Sequence, residues 1–224
     1  MKKKFLAVSS LLFALIFVGC ESNNSIVAAD DPFQDVQTQN IEDAIASLPT
    51  NVLTDSTENG LVFMREEEKL ARDVYLFFYE KYGLRIFNNI AKSENTHMTA
   101  IKMLLDKYEL KDPVEIDEMG VFQNQDLAAL YTQLTAAGSV SLLEAVKIGA
   151  TIEDLDIKDL MEYSAEIESE DILLVYNNLT KGSRNHLRSF YSRVLQYGGT
   201  YEPQFISQEL FDSIINSPKE RGSL

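Results

Sequence analysis

The segment Phe87–Tyr108, FNNIAKSENTHMTAIKMLLDKY, decides the fold class. Its inward positions recur at alternating spacings of three and four, the period of one face of a bundle helix. Glu94 and His97 stand in the middle of this otherwise apolar stripe, one helical turn apart, so their side chains point the same way. Burying both costs on the order of several kcal/mol unless each finds a partner, and one metal ion satisfies both.

An acidic segment before it carries a second polar position on an apolar face. No Pro interrupts the stretch 57–82, and Gly83 supplies a helix stop. Glu68 and Tyr75 lie seven residues apart and therefore share one inward stripe. A neighbouring stripe that contains Glu67 fits nearly as well, so periodicity alone leaves Glu67 and Glu68 as alternatives.

A third helix is predicted over 141–164, where Ser141 and Glu144 form a capping-box pattern. We assign Glu144 to this cap and exclude it from any site. Glu153 lies further along the same helix, among apolar residues that share its face, and it is the candidate carboxylate of this segment.

A fourth long helix, opened by Ser169 and predicted over 169–197, turns His186 inward. The long connection between the second and third helices holds a shorter helix over 125–137. No segment alternates with period two over a useful length. The sequence therefore predicts an all-α fold, a four-helix bundle with a long second-to-third helix crossover that contains a short helix.

Composition limits the chemistry that this chain can perform. It has 35 Asp+Glu against 20 Lys+Arg, a net charge of −15, one Cys and two His. An acidic chain without a basic patch does not bind nucleic acid. One Cys excludes a disulfide framework and a zinc site built from several thiolates. Any metal or acid–base chemistry must use the two histidines or carboxylates alone.

The N-terminal residues have the pattern of an export signal. Three lysines precede the apolar run 5–18, and the stretch Phe17-Val18-Gly19-Cys20 resembles a bacterial lipoprotein signal box. We expect residues 1–19 to be a lipoprotein signal peptide and Cys20 to be lipidated, which anchors the protein outside the cytoplasm to a bacterial cell membrane. The alternative is an ordinary secretory signal with an incidental Cys. Residues 20–56 then form a polar tether with a short helix after Asn40.

A simpler interpretation of the polar positions also exists. A single His on an apolar stripe is often only a hydrogen-bonded core residue. The run 66–68 could likewise be a solvated face on which Lys69 and Arg72 make surface ion pairs. A metal site is favoured because both histidines of the chain and one Glu on each of three helices fall on inward stripes.

Three stretches carry a family resemblance: REEEKLARDVY at 65–75, IFNNIAKSENTHM at 86–98 and GSRNHLRSF at 182–190. They resemble an uncharacterised prokaryotic ferritin-like family, domain of unknown function two-two-zero-two. The resemblance covers about Gly60 to Pro203. It implies a ferritin-like four-helix bundle over 57–203, close in layout to the rubrerythrins, followed by a C-terminal amphipathic helix and tail over 204–224.

The resemblance also implies a set of site residues. The metal ligands that it implies are Glu68, Glu94, His97, Glu153 and His186. It selects Glu68 over Glu67 because Tyr75 follows seven residues later, and Tyr75 is then expected to hydrogen-bond a carboxylate at the catalytic centre. The fourth helix departs from the ferritin-like pattern, since Ser183 stands where a Glu is expected three residues before His186.

The implied cofactor is iron, in a dinuclear or mononuclear centre, or manganese, because carboxylates with two imidazoles suit these metals by ligand type. The expected function is a metal-dependent oxidoreductase that oxidises ferrous iron or reduces peroxide. The alternative is a non-catalytic helical lipoprotein that acts as an envelope binding or scaffold protein. A homodimer is compatible with the sequence. The two hypotheses differ in whether the five ligands converge within about 5 Å.

Overall fold

The computed structural model describes residues 38–221, with side chains from residue 41 onward. Within this part the chain forms seven α-helices and no strand, which confirms the predicted all-α class. They are α1 Thr38–Ser47, α2 Asp55–Tyr82, α3 Arg85–Lys107, α4 Gln125–Gly138, α5 Leu142–Ser164, α6 Glu170–Gln196 and α7 Gln208–Ile215. The predicted signal peptide, Cys20 and the first part of the tether lie outside the described residues. None of the helices in 38–221 is both long and apolar enough to cross a bilayer.

Most helix ends lie where the local sequence predicts them. Thr54 caps α2 by accepting a hydrogen bond from the Thr57 N–H, and Gly83 ends it with a φ of 67°, a left-handed conformation that favours glycine. Ser141 caps α5 by accepting a hydrogen bond from the Glu144 N–H at 3.1 Å. Ser169 does occupy the N-cap of α6, but no helix N–H donates to its hydroxyl.

The capping box at α5 is only half formed. The Glu144 carboxylate accepts a hydrogen bond from Lys147 Nζ at 2.9 Å, one turn further along the helix. The exclusion of Glu144 from the centre agrees with this surface ion pair.

The four long helices surround a common interior. α2 packs against α3 and α5, and α6 packs against the same two helices from the other side. α4, the short helix of the crossover, packs on α2 and α5. Two apolar clusters fill the interior, one around Phe87 and Phe190 and the other around Met64 and Ile101. The polar candidates occupy the helical turns between these clusters.

α2 is buried on its outer side as well, because the crossover covers it. Every residue of α2 from Met64 to Tyr75 is buried. The acidic run 66–68 is therefore not a solvated face, and that simpler interpretation is wrong. Lys69 is fully buried, and its ammonium contacts Asp73 at 2.5 Å and the Glu118 carbonyl oxygen at 2.7 Å.

The outer face of α2 holds the crossover through ion pairs and hydrogen bonds of charged side chains, which we call the clamp. Its members on α2 are Arg65, Glu66, Lys69, Arg72 and Asp73. Arg65 binds both carboxylate oxygens of Asp112, and Arg72 pairs with Asp73 and with Asp117. The clamp fixes the crossover against α2 and places α4 beside the bundle.

Candidate metal centre

The five predicted ligands converge in the interior, one or two from each long helix. They form two groups of three, within each of which the potential ligand atoms all lie within 4.8 Å of one another. The first group is Glu68, Glu94 and His97, and the second is Glu94, Glu153 and His186. All five side chains are buried. The distance of about 5 Å was expected for all five residues together; the 4.8 Å limit holds within each group of three, and Glu94 joins the two groups.

The first group joins α2 to α3. His97 Nδ1 lies 2.7 Å from Glu94 Oε2, on its own helix, and 3.1 Å from Glu68 Oε2. Both carboxylates therefore face the same imidazole nitrogen. Replacing a proton at this nitrogen with a metal ion would leave both carboxylates in position to bind it.

The second group joins α3 to α5 and α6. His186 Nδ1 lies 2.9 Å from Glu94 Oε1 and 3.4 Å from Glu153 Oε2. Glu94 thus directs one oxygen to each imidazole, and the two rings have centroids 5.7 Å apart. A carboxylate that addresses two ligand groups in this way has the geometry of a bridging ligand.

Neighbouring residues hold the two imidazole rings in place. His186 Nε2, the nitrogen that faces away from the carboxylates, lies 3.1 Å from Ser93 Oγ. A Cβ at Gly182 would lie 2.7 Å from His97 Cε1 and Nε2, so only glycine admits the ring here. A hydrogen-bond partner at the ring nitrogen that does not face the ligand group is typical of histidines that bind metals.

Tyr75 reaches one carboxylate of the second group. Its hydroxyl donates a hydrogen bond to Glu153 Oε1 at 2.5 Å. The other oxygen of the same carboxylate is the one that faces His186. Burial and the adjacent Glu153 raise the pKa of Tyr75 well above its ordinary value, so the hydroxyl stays protonated and remains a donor.

Protons balance the charges of the centre. Burial raises the pKa of Glu68 to about 7 against the opposing effect of His97, and burial likewise raises that of Glu153 to about 7 against His186. Burial disfavours a charged imidazole, but Glu94 and Glu153 outweigh it and raise the pKa of His186 to about 10. Burial also disfavours a charged Glu94, yet His186 and His97 hold its pKa below the ordinary value. Glu68 and Glu153 thus hold protons more tightly than free carboxyl groups do, and a bound cation would displace those protons.

Asp156 is a buried carboxylate beside the two groups, one that the sequence did not reveal. It lies on α5, one turn after Glu153, and its Oδ2 is in contact with the Ser183 hydroxyl. That hydroxyl also lies 2.9 Å from the Leu179 carbonyl oxygen. The gap at Ser183 is therefore filled by a carboxylate from the neighbouring helix. The spacing Glu153-x-x-Asp156 was the signal that could have revealed it.

The structure also separates Glu67 from Glu68. Glu68 faces His97 and belongs to the first group, as the resemblance implied. Glu67 is buried as well but lies towards α5, beside Asp159 and Asp156. Both stripes of α2 are real, because the helix is enclosed on all sides. Periodicity could not choose between them for that reason.

The donor set fits one or two divalent ions of an oxygen-preferring metal. Glu68 Oε1 and Asp156 Oδ1 are buried, and no protein group in the described part of the chain donates a hydrogen bond to either. Buried oxygens without donors are rare unless a ligand takes their place. Carboxylates with two imidazoles suit iron and manganese by type.

Comparison with known proteins places the chain in a family. Residues 57–218 match the family described as Uncharacterized protein domain (DUF2202). The chain is 52% identical over 178 residues to Uncharacterized protein MJ0754 of Methanocaldococcus jannaschii, which covers 80% of this chain and 96% of that protein. The crystal structure of hypothetical protein MJ0754 from Methanococcus jannaschii has a TM-score of 0.77 and 52% identity, and covers 78% of this chain and 99% of that one. The chain belongs to the DUF2202 family.

Proposed function

We propose that this protein is a ferritin-like metal protein whose helical interior holds two ions of iron or manganese. One observation carries the proposal. Glu94 directs one oxygen to each of two ligand groups, and each group contains one imidazole and one further carboxylate. A hydrogen-bonded polar core, the alternative, has no need of two equivalent groups built around a shared carboxylate.

Charge balance supports two ions rather than one. Glu68, Glu94 and Glu153 carry three negative charges when ionised, and Asp156 adds a fourth beside them. Two divalent ions bring four positive charges, so the buried centre would be neutral. Since isolated buried charge is costly, neutrality favours the dinuclear form.

The ferritin-like assignment rests on how the donors are distributed. α2, α3, α5 and α6 each contribute a carboxylate or an imidazole, and α4 lies in the connection between α3 and α5. Di-iron carboxylate bundles share this distribution. Their pattern includes a second Glu-x-x-His, which α6 lacks at Ser183.

Bound iron or manganese would supply one-electron redox chemistry towards dioxygen or peroxide. Glu68, Glu94, Glu153, His97 and His186 would hold the ions through the oxygens and Nδ1 atoms that already face one another. The Tyr75 hydroxyl fixes the orientation of Glu153 and holds a proton next to the centre. The aromatic rings of Tyr75, Phe87 and Phe190 exclude water from that end of the bundle.

We place this activity outside the cytoplasm. The proposal rests on the N-terminal signal pattern and on Cys20 as a lipid attachment point. A membrane-anchored domain fits removal of peroxide or oxidation of ferrous iron better than storage in a closed cage. The chain has one Cys, so it holds no internal rubredoxin-like relay of clustered cysteines.

Metal content tests the proposal. The full chain, produced in detergent from cells grown with iron or with manganese, should contain about two ions per molecule by elemental analysis. His97→Ala and His186→Ala should each lower that content, whereas Lys147→Ala, which breaks a surface pair on α5, should not. A wild-type chain without stoichiometric metal would favour the scaffold hypothesis, in which the histidine variants change only stability.

A further inference from the structure

The hydroxyl of Ser93 contacts the second ligand group from outside. Ser93 lies on α3 immediately before Glu94, is half-buried, and places its Oγ 3.1 Å from His186 Nε2. The other ring nitrogen, Nδ1, lies 2.9 Å from an oxygen of Glu94 and 3.4 Å from an oxygen of Glu153. Ser93 therefore joins α3 to α6 at the side of the ring that does not face the ligand group.

This contact selects the nitrogen of His186 that can bind a cation. An imidazole that binds a metal through Nδ1 carries its proton on Nε2, and an acceptor at Nε2 favours that form. The Ser93 hydroxyl oxygen is placed to accept this hydrogen bond. The lone pair of Nδ1 is then directed towards Glu94 and Glu153, so Ser93 fixes both the tautomer and the orientation of the ring.

The carboxylate of the same group is also held from outside. The Tyr75 hydroxyl donates to Glu153 Oε1 at 2.5 Å, while Glu153 Oε2 faces His186. Both ligands that belong to the second group alone, His186 and Glu153, therefore have a hydrogen-bond partner beyond the centre. Loss of such a partner typically lowers metal affinity by roughly 10–100-fold, because the ligand is no longer ordered before the ion binds.

The first group differs from the second in this respect. Glu68 Oε1 is buried, and no group in the described residues donates a hydrogen bond to it. His97 Nε2 likewise has no hydrogen-bond partner among the described residues, and it lies against Gly182, where an added Cβ would be 2.7 Å away. Packing against a glycine confines the ring but does not select the nitrogen that carries the proton.

We propose that Ser93 is a positioning residue that makes the two metal positions unequal, so that the position beside His186 binds its ion first and the position beside His97 binds second and releases first. The inference rests on the proposed dinuclear centre. Each group contains one imidazole, one carboxylate of its own and an oxygen of the shared Glu94. Because the ligand types are the same in both groups, the contacts outside them distinguish the two positions.

The order of binding can be measured because the chain has only two histidines. The metal-free full chain, labelled with ¹⁵N and kept in detergent, gives one set of imidazole nitrogen signals by NMR for each histidine. His97→Gln and His186→Gln assign the two sets. Zn²⁺ is the probe, since it is diamagnetic and binds imidazole and carboxylate. One equivalent should shift the Nδ1 signal of His186 and change His97 little, and a second equivalent should shift His97.

Three variants isolate the Ser93 hydroxyl. Ser93→Ala should weaken binding of the first Zn²⁺ by about tenfold and divide one equivalent between the two imidazoles. Ser93→Thr retains a hydroxyl and should keep the order of binding seen in wild type. Ser189→Ala is the matched control on α6, because Ser189 Oγ donates to the Asn185 carbonyl oxygen of its own helix at 2.9 Å. It should leave both the order and the affinity unchanged.

The outcomes separate this inference from the centre itself. Wild-type rings that shift together, or His97 shifting first, would overturn the inequality and leave the dinuclear centre intact. An unchanged order and affinity in Ser93→Ala would make the contact a structural one only. Equal losses in Ser93→Ala and Ser93→Thr would show that the hydroxyl is not the cause. A wild-type chain in which Zn²⁺ shifts neither ring would overturn the proposed function as well.

Discussion

The two faces of α2 bury charge in opposite ways. On the outer face, the clamp pairs Lys69 and Arg72 with Asp73, which lies between them. On the inner face, Glu67 and Glu68 meet further carboxylates and only one imidazole, that of His97. Both faces come from a single acidic and basic run of sequence. The outer face is neutralised by basic side chains, whereas the inner face has one imidazole and otherwise favours protonated carboxyl groups.

The difference between the two faces separates buried charges that stabilise the fold from buried charges that can bind a ligand. Charges that are paired and hydrogen-bonded stabilise the fold when intact and are costly to break. A buried carboxylate that is stable only in its protonated form can exchange that proton for a metal cation. We therefore propose a structural role for the outer face of α2 and a metal-binding role for its inner face. If substitutions on the two faces have the same effects on stability and metal content, this division is wrong.

The largest expected effect is on the outer face. Asp73→Ala leaves the buried Lys69 and Arg72 without their shared counter-charge, so the free energy of unfolding should fall by about 3–5 kcal/mol. Chemical denaturation of the metal-free chain measures it. Asp106→Ala is the matched control, because Asp106 forms the same Lys-to-Asp pair one turn apart with Lys102 but is exposed. Its effect should stay below about 1 kcal/mol.

Metal content completes this comparison. The Asp73→Ala protein that remains folded should bind as many ions as wild type, since Asp73 contacts no member of either ligand group. A loss of metal from the folded fraction would show that the clamp belongs to the centre and would end the division between the two faces.

The next effect is on the inner face. Glu94→Gln removes the charge shared by both groups, so metal affinity should fall by about 100-fold or more at both positions, beyond the 10–100-fold typical of supporting residues. Competition with a chelator measures the affinity. Glu144→Gln, a surface change of the same kind on α5, should leave it unchanged. Loss of one ion with full retention of the other would contradict the bridging assignment.

A third effect follows from the retained protons. Burial raises the pKa values of Glu68 and Glu153 from the ordinary 4.5 to about 7 in the folded chain. Between pH 4.5 and pH 7 the folded chain therefore binds more protons than the unfolded chain does. The free energy of unfolding of the metal-free chain should therefore fall as pH rises from about 4.5 to 7. The raised pKa of His186 also contributes to the free energy of unfolding. That contribution is fully present below pH 6.5 and is lost as pH rises through about 10, so it too falls with rising pH.

Thermal melting at several pH values measures this effect. The melting temperature of the metal-free chain should be lower at pH 8 than at pH 5 by several degrees, on the order of 5 °C. Metal binding displaces the protons, so metal affinity should rise over the same range. Glu153→Gln should flatten the metal-free profile. A profile that rises with pH in the metal-free chain would show that the inner carboxylates are already ionised.

The sequence was sufficient for the pair of candidate ligands that lies on a single helix. Glu94 and His97 could be found because a spacing of three residues places two side chains on one face regardless of the neighbours. The contact between Asp156 and Ser183 joins α5 to α6 across the interior, and no local period reports which turns of two helices meet. Periodicity could likewise not separate Glu67 from Glu68, because the crossover encloses α2 and removes the polar face on which periodicity depends.

The smallest effect tests whether Tyr75 acts on the centre or only on the fold. Tyr75→Phe removes the hydroxyl that donates to Glu153 Oε1 at 2.5 Å and, more weakly, to the Gly149 carbonyl oxygen at 3.4 Å, and should lower the free energy of unfolding by about 1 kcal/mol. Tyr82→Phe is the matched control, because its hydroxyl donates to the Gly138 carbonyl oxygen at 2.8 Å, two turns along α2 and away from the ligands. Tyr75→Phe should also weaken metal binding by about tenfold, since Glu153 loses the donor that orients it. Tyr82→Phe should change stability alone. Equal metal affinities in the two variants would make Tyr75 a structural residue and would leave Glu153 oriented by His186 alone.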